Sequence, residues 1–425
     1  MLTELRFVSA ALVALALSSL AGPCHALHVR RNASPVTLPF ARRLNMTGSA
    51  KLLEIDQARM KALRNRTPAA RGSHTGILAL GAVADVSATS QAVAYVTTVT
   101  VGSPGRDYTL LIDTGSSNTW VGAQTLSNPF VPSSSTGITG NLMEVTYGSG
   151  FVLGLEYTDN VMVGSITIKE QSFGGAILSD GFTGVDGIIG IGPTNLTCGT
   201  LIPSSQCIPT VIDNAFSQGL IPEHLIGISF EPTTSPDNAN GEFTFGGIDS
   251  SKFTGSLEFV PITSTSPSNM FVGIDQSITY GSPTGTTVLP MTAGITDTGT
   301  TLLLIASDAF ATYQSLTGGV LDSTTGLLRI TPEQFANLKS LFFHIGANTF
   351  EFTPNAQIWP RALNSALGGT DDAIYLIVSD IGTPSGSGLD FIDGMTFLER
   401  FYYVFDSANS RVGLANTPFT HATTN

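Results

Sequence analysis

The sequence predicts a mostly β protein, built as two similar β-rich lobes with a cleft between them and few short helices. The chain has 425 residues, including 45 glycines and 22 prolines, and many short β-branched or aromatic segments are bounded by Gly or Pro. Single hydrophobic cores stop growing at about 250 to 300 residues, so more than one lobe is expected. An Asp-Thr-Gly segment also occurs twice, at Asp113 and at Asp297.

The N-terminus predicts export from the cell. Residues 7–22 form an apolar run that follows Arg6, and the small residues before position 27 suit signal-peptide cleavage after Ala26. A membrane anchor is the alternative, but the run is shorter than the ~20 apolar residues that a span needs. The polar C-terminal tail carries no lipid-anchor signal. We therefore expect a signal peptide over residues 1–26, no membrane anchor, and a secreted, extracellular protein rather than a vacuolar one.

Charge divides the rest of the chain into a basic and an acidic part. Residues 27–80 hold ten Lys and Arg against two acidic residues, a net charge of +8, whereas residues 81–425 hold eight against 29, a net charge of −21. The basic part includes a helical pattern around "SAKLLEIDQARMKALRNR". We interpret it as a pro-segment that lies on the acidic body by charge attraction. A nucleic-acid-binding arm is the alternative, but the acidic body would repel phosphates, so no nucleic-acid partner is expected.

Cysteine usage agrees with an exported protein. Cys24 belongs to the predicted signal peptide, which leaves Cys198 and Cys207, and these are expected to form one disulfide in an oxidising compartment. The six histidines are scattered, and no Cys/His cluster has the spacing of metal ligands, so no metal site is expected. Asn195-Leu-Thr is a glycosylation sequon.

Short helices are predicted at three places in the acidic body. Residues 209–219 begin with Pro, end with Gly and place apolar residues on one face. Thr331 is expected to be an N-cap, with Gln334 completing a capping box. Ser307 is expected to cap a helix that ends at Gly318.

The two Asp-Thr-Gly copies have matching surroundings. Each follows an apolar run, and each is followed downstream by an apolar Gly segment, "DGIIGIG" at 186–192 and "DFIDGMTFL" at 390–398. Two similar lobes would bring Asp113 and Asp297 together at their interface. Two adjacent carboxylates do not both ionise cheaply, so one keeps a proton while the other stays charged. Such a pair can activate a water against a carbonyl group without a covalent intermediate.

The residues around the two acids have expected supporting roles. Thr114 and Thr298 can hold the two loops together across the interface, and the glycines permit close backbone approach. Ser116 and Thr300 can donate hydrogen bonds to the outer carboxylate oxygens. The expected cofactor is none, since a catalytic water is enough.

Six segments stand in a distinctive order along the chain: "YVTTVTVGSPGRDYTLLIDTGSSNTWVGA", "VTYGSG", "VDGIIGIG", "IPTVIDNAFSQGLIP", "ITDTGTTLLL" and "FLERFYYVFDSANSRVGLA". In that order they resemble the landmarks of the pepsin-like aspartic proteases, and among them the secreted polyporopepsin type of basidiomycete fungi. The resemblance covers residues 92–415 and implies the bilobal fold of that family. It implies an N-terminal lobe over 81–265 with Asp113 and a flap, and a C-terminal lobe over 266–425 with Asp297.

The resemblance also implies roles residue by residue. Asp113 and Asp297 match the catalytic pair, and Trp120 matches a tryptophan that supports the flap. Substrate-binding and flap roles fall to six residues, namely Tyr147, Gly148, Ser149, Gly115, Gly299 and Thr300. In this family a basic residue of the pro-segment inserts between the two acids at neutral pH. Lys51 and Lys61 are the candidates here.

The chain departs from the family pattern at two places. Asp393 stands where relatives carry a large apolar residue, and Met395 stands where many carry an aspartate. Asp393 is interpreted as a satisfied interior acid, with tuning of the pH optimum as the alternative. Ser149 stands at the flap tip, where several fungal relatives carry an acid that accommodates a basic side chain. Its identity therefore favours apolar or aromatic residues beside the scissile bond.

These observations predict a secreted acid endopeptidase, made as a zymogen, that hydrolyses peptide bonds by water activated between two aspartates. Its expected partners are protein and peptide substrates and its own pro-segment as an intramolecular inhibitor, and the expected state is a monomer. One alternative is a catalytically silent pepsin-like binding or inhibitor protein. That alternative is disfavoured because Asp113, Asp297 and Tyr147 are all present. The other alternative, an unrelated Ser- and Thr-rich secreted adhesin, does not explain the paired motifs.

Overall fold

The structure is a computed structural model that describes residues 33–44, 51–66, 93–124, 126–148 and 150–425. The predicted signal peptide, Ser149 and the remaining parts of the predicted pro-segment lie outside the described residues. The described residues are predominantly β-strand, as the sequence predicts. They all belong to the unit Ala33–Asn425.

The described strands, in chain order, are β1 (Val36–Leu44), β2 (Val93–Val101), β3 (Arg106–Asp113), β4 (Thr119–Val121), β5 (Gly137–Thr146), β6 (Phe151–Val163), β7 (Ile166–Asp180), β8 (Gly187–Gly190), β9 (Leu201–Ile202), β10 (Leu225–Phe230), β11 (Asp237–Phe245), β12 (Thr254–Pro261), β13 (Gly273–Tyr280), β14 (Thr286–Thr296), β15 (Leu303–Ile305), β16 (Val320–Leu321), β17 (Leu328–Ile330), β18 (Leu341–Ile345), β19 (Asn348–Phe352), β20 (Ile374–Leu376), β21 (Val378–Asp380), β22 (Phe391–Asp393), β23 (Phe401–Asp406) and β24 (Arg411–Asn416).

The described α-helices are short and lie between these strands. They are α1 (Leu52–Asn65), α2 (Val211–Ser217), α3 (Ser307–Thr317), α4 (Pro332–Ala336) and α5 (Met395–Leu398). Short 3₁₀ turns cover Thr194–Thr197, Ser268–Met270 and Arg361–Leu367. The capping box that the sequence predicts at Thr331 is present.

The expectation that Ser307 caps its helix is wrong. Ser307 is the first residue of α3, and the preceding Ala306 is the N-cap without a side-chain hydrogen bond. The Ser307 hydroxyl donates instead to Asp380 Oδ1 over 2.6 Å. The hydroxyl therefore makes a tertiary hydrogen bond and does not cap the helix. The helix ends where predicted, because Gly318 adopts the left-handed conformation with φ of 68°.

A strand of the predicted pro-segment lies inside the largest sheet. This sheet has the order β12-β24-β23-β10-β11-β1-β2-β3-β8-β4-β7-β6-β5-β9. β1 pairs antiparallel with both β11 and β2. Val36, Leu38 and Phe40 are buried while Thr37 and Pro39 between them are exposed, which is the period-two pattern of a strand with one buried face.

The two Asp-Thr-Gly loops leave the sheets in the same local arrangement. β3 pairs in parallel with β8, so that Asp113 lies opposite Gly190. In a seven-stranded sheet of order β19-β18-β13-β14-β22-β15-β21, β14 pairs in parallel with β22 and places Thr296 opposite Asp393. The apolar Gly segments seen in the sequence are therefore the parallel partners of the strands that carry the two aspartates.

Candidate active site

Asp113 ends β3, and its carboxylate is fully buried. Ser116 Oγ donates to Oδ2 over 2.6 Å, and the Gly115 N–H donates to Oδ1 over 2.9 Å. The chain turns directly after the strand, so the amide two residues on and the hydroxyl three residues on point back at the carboxylate. Both carboxylate oxygens of Asp113 are therefore held in place by donors from its own loop.

Asp297 follows β14 and has nearly the same surroundings. It is also fully buried; Thr300 Oγ1 donates to its Oδ2 over 2.6 Å and the Gly299 N–H donates to its Oδ1 over 3.1 Å. The supporting hydrogen bonds that the sequence predicts for Ser116 and Thr300 are thus both formed.

Reciprocal hydrogen bonds join the two loops. The Thr114 N–H donates to Thr298 Oγ1 over 3.1 Å, and the Thr298 N–H donates to Thr114 Oγ1 over 3.0 Å. Both side chains are buried. This pairing fixes one aspartate relative to the other, since each threonine lies next to an aspartate in the chain.

A single guanidinium from α1 bridges the two aspartates. Arg59 Nη2 donates to Asp113 Oδ1 over 2.5 Å, while Nε and Nη2 donate to Asp297 Oδ2 and Oδ1 over 2.7 and 2.9 Å. Arg59 is 4% exposed, so the ion pairs are shielded from solvent. The two carboxylates therefore share one cation and face the same small volume.

Two aromatic residues and a glycine link β4, the β5–β6 connection and α1. Trp120 Nε1 donates to the Tyr147 hydroxyl over 3.1 Å, and both rings make edge-on contacts with Phe182. A Cβ on Gly148 would stand 2.5 Å from the backbone N of Arg59, so only glycine permits this approach of the β5–β6 connection to α1.

Comparisons with known proteins agree with this geometry. Residues 94–417 match the family model described as eukaryotic aspartyl protease. The chain belongs to this family. It is 59% identical over 345 residues to polyporopepsin of Irpex lacteus, a match that covers 81% of this chain and 100% of that protein. It is 31% identical over 337 residues to pepsin A of Sus scrofa, covering 76% of this chain and 80% of that protein.

A solved structure has the same fold. The crystal structure of the aspartic proteinase from Irpex lacteus matches with a TM-score of 0.75 and 60% sequence identity, over 78% of this chain and 96% of that chain. The predicted family and the pepsin-like fold class are confirmed. The protein is an aspartic endopeptidase, a hydrolase.

The basic residue between the aspartates of this protease is Arg59, so the expectation of Lys51 or Lys61 is wrong. Lys51 precedes α1, and its Nζ donates to the carbonyl of Ser323 over 2.6 Å. Lys61 is exposed. The reason is helical phase: Arg59 falls on the buried stripe of α1, and Lys61 lies two residues on and faces away from that stripe.

A second charged residue of α1, Asp56, contacts the backbone that follows the Asp297 loop. Asp56 is buried and accepts hydrogen bonds from the backbone N–H groups of Thr301 and Leu302 over 3.2 and 2.8 Å. Burial raises its pKa to about 7, while these hydrogen bonds and the Arg59 charge act in the opposite direction. Asp56 has no role predicted from the sequence.

Arg59 also changes the proton affinity of the site. Burial alone would raise the pKa of Asp297, but the charge and hydrogen bonds of Arg59 outweigh it and hold that pKa below its usual value. Burial likewise opposes the charged form of Arg59, and the two carboxylates more than compensate, so the pKa of Arg59 is raised. With Arg59 in place, the carboxylates are paired with a cation rather than available to a water and a peptide carbonyl.

The other predicted features are the disulfide, the glycosylation sequon, the flap tip, and the expected lack of a metal site and of a membrane anchor. Cys198 and Cys207 form a disulfide, and Asn195 is exposed beside it in the turn that begins at Thr194. Ser149 lies outside the described residues. Within the described ranges no group of three or more His, Cys, Asp or Glu is placed to hold a metal ion. No helix in the described part of the chain is long and apolar enough to cross a membrane.

Proposed function

We propose that Asp113 and Asp297 are the catalytic pair of an acid endopeptidase, and that residues 27–80 are its inhibitory pro-segment. One observation carries the proposal: the guanidinium of Arg59 bridges both carboxylates at hydrogen-bonding distance. An arginine buried between two acids occupies the place where a water and a scissile carbonyl would have to meet. In this proposal, the chain with its pro-segment in place is the zymogen.

Catalysis in this proposal starts once Arg59 has left. The two aspartates then share one proton, as is typical of aspartic proteases. The ionised carboxylate takes a proton from the water, which attacks the peptide carbonyl, and the protonated carboxyl donates to the carbonyl oxygen. Ser116 and Thr300 hold the outer carboxylate oxygens, and Tyr147 closes over the peptide and excludes water.

The sequence and helix α1 support the predictions of secretion, glycosylation and cleavage preference. The signal-peptide pattern supports secretion, and Asn195 is exposed as glycosylation requires. Ile55, Met60 and Leu63 are buried on the same face of α1 as Arg59, which supports an apolar surface in the cleft. That surface fits apolar or aromatic side chains on both sides of the cleaved bond. The protease is proposed to act as a monomer, without a cofactor.

Replacement of either aspartate tests the catalytic assignment. Asp113→Asn and Asp297→Asn are each expected to lower kcat by at least about 10²–10⁴-fold, because each removes a group that transfers a proton. The measurement is hydrolysis of an unfolded protein at acid pH after maturation by an added protease, with a statine-type inhibitor as a further arm. Asp371→Asn, at an exposed acid, is the matched control. Retention of normal kcat in either active-site variant would refute the assignment.

A further inference from the structure

We infer that Asp393 is a neutral carboxylic acid paired with Gln276, and that this pair positions the Asp297 loop until loss of the Asp393 proton loosens it. Asp393 is thus proposed as a positioning residue whose protonation sets the alkaline limit of the folded protease. This inference concerns the C-terminal lobe and does not depend on the pro-segment.

Asp393 lies directly beside the Asp297 loop. It ends β22, between Thr296 on β14 and Leu303 on β15. Its backbone carbonyl accepts a hydrogen bond from the Asp297 N–H over 3.1 Å. A shift of β22 would therefore move the backbone that carries the Asp297 carboxylate.

The side chain of Asp393 is fully buried and incompletely paired. Its Oδ1 accepts from Gln276 Nε2 over 3.0 Å, and Gln276 is fully buried as well. In the described part of the chain, neither Asp393 Oδ2 nor Gln276 Oε1 has a hydrogen-bond partner. Two orphaned acceptors in one buried pair are costly, but a proton on Asp393 Oδ2 converts one of them into a donor. A carboxylic acid and an amide can then make two hydrogen bonds side by side.

Asp390, three residues earlier, is a buried carboxyl group whose two oxygens both have hydrogen-bond donors. It is also fully buried, yet four groups donate to it, namely the Gly386 N–H, the Ser387 N–H, Ser387 Oγ and Thr292 Oγ1. Among the described residues, Gln276 is the one donor to Asp393. The contrast supports a neutral Asp393.

The internal repeat shows that the fold does not need an acid here. The register of β3 with β8 places Ile189 opposite Ile112, which matches Asp393 opposite Thr296 in the other copy. Ile189 is buried and apolar. The acid at position 393 is therefore specific to the β14–β22 pair and is not a feature that the two Asp-Thr-Gly repeats share.

No neighbouring charge explains a stabilised carboxylate at Asp393. β14 and β15 carry no titratable side chain, and β13 carries Asp275, hydrogen-bonded to Thr263, and Tyr280. Asp297 is paired with Arg59, and the Tyr403 hydroxyl on β23 accepts a hydrogen bond from Thr296 Oγ1 over 2.8 Å. Helix α5, which follows, is uncharged. Beyond it, Glu399 accepts a hydrogen bond from the Tyr95 hydroxyl, and Arg400 donates to the carbonyls of Phe419 and Ala422.

The direction of the pH dependence follows from burial. Burial raises the pKa of Asp393 from 3.8 to about 8, and the Gln276 hydrogen bond opposes the shift only in part. The folded state therefore holds a proton that the unfolded state has lost over this pH range. Its contribution to stability is complete below pH 3.8 and is lost as the pH rises to about 8.

The test compares Asp393→Asn with the wild type. Unfolding by denaturant is followed on the full-length zymogen and on the mature enzyme across this pH range. The ratio of the unfolding equilibrium constants, wild type over variant, should rise by up to about tenfold per pH unit. Residual activity after incubation at each pH, normalised to each protein's untreated sample, should survive to higher pH in the variant.

Matched variants separate this role from a merely structural one. Asp390→Asn should lower stability without moving the alkaline limit upward. If Asp393→Asn does not fold, the apolar double variant Asp393→Ile/Gln276→Leu takes its place, and the infrared carbonyl band of a protonated carboxyl is titrated in the wild-type protein. The inference is wrong if wild type and variant share one pH dependence, or if no protonated carboxyl is lost near pH 8.

Discussion

At the scale of single residues, Arg59 is the most consequential side chain of the predicted pro-segment. It brings five N–H donors, and three of its contacts go to Asp113 and Asp297. A planar guanidinium can bridge two carboxylates in a fixed geometry, which the point charge of a lysine ammonium does not reproduce. Its removal would leave two buried carboxylates without a counter-charge.

We expect Arg59→Met to abolish latency. Removing one partner of a buried ion pair costs about 3–5 kcal/mol, and the loss falls only on the docked state of the pro-segment. The measurement is binding of a fluorescent statine-type inhibitor to the purified zymogen at neutral pH. Lys61→Met is the matched control, because Lys61 is a basic residue on the exposed side of the same helix. An Arg59→Met zymogen that excludes the inhibitor as well as the control does would contradict the prediction.

Arg59 also shows which part of the site could be predicted from the sequence and which part could not. The two aspartates and their hydroxyl partners follow from the repeated motif, whereas the role predicted for Tyr147 rests on the family resemblance. Arg59 was missed, although its helical phase could have identified it: Ile55, Arg59 and Leu63 recur every four residues on one face. A charge inside an apolar stripe must find a buried partner. The partner itself is set by tertiary contacts, which a local pattern does not contain.

At the scale of secondary-structure elements, β1 contributes packing as well as hydrogen bonds. Phe40 is 2% exposed and makes ring contacts with Tyr95, Phe230 and Phe243 at 4.7 to 5.1 Å between centroids. A Cβ on Gly241 would collide with the Phe40 ring, so glycine at position 241 leaves the space that this ring occupies. The strand was not predicted, because its partners β2 and β11 lie far away in the sequence.

We expect Phe40→Ala to destabilise the zymogen by about 3–5 kcal/mol, the usual cost of truncating a buried phenylalanine. The check is chemical denaturation of the zymogen beside Thr37→Ala, which removes a side chain from the exposed face of the same strand. The mature form, which in our proposal lacks β1, should not differ between the two variants. Equal stability of the two zymogens would show that β1 adds no packing energy.

At the scale of the whole molecule, the opposite charges of the two parts make their association sensitive to acid and salt. Residues 27–80 carry +8 and residues 81–425 carry −21. Because Arg59 holds the pKa of Asp297 below its usual value in the docked state, the contribution of this ion pair to docking is present above that value and is lost as the pH falls through the lowered pKa. Exposed charges are in addition screened by salt.

We expect activation of the zymogen to accelerate as the pH falls, and moderate salt to accelerate it further at a fixed pH. The measurement is the time course of pro-segment cleavage by mass spectrometry at several pH values, with and without added NaCl. An Asp297→Asn zymogen mixed with a trace of active enzyme serves as the control, since it cannot process itself. Salt that slows release at every pH would contradict the role given to charge attraction.

Both acids of the site are encoded at separate places on one polypeptide, each with its own flanking strand. In a site assembled from two identical chains, any substitution would appear in both halves at once. Here Ser116 faces one acid and Thr300 the other, and Ile189 occupies the position that Asp393 occupies in the second copy. Each half can therefore be altered by substitution alone, so the surroundings of one aspartate can change while those of the other stay the same.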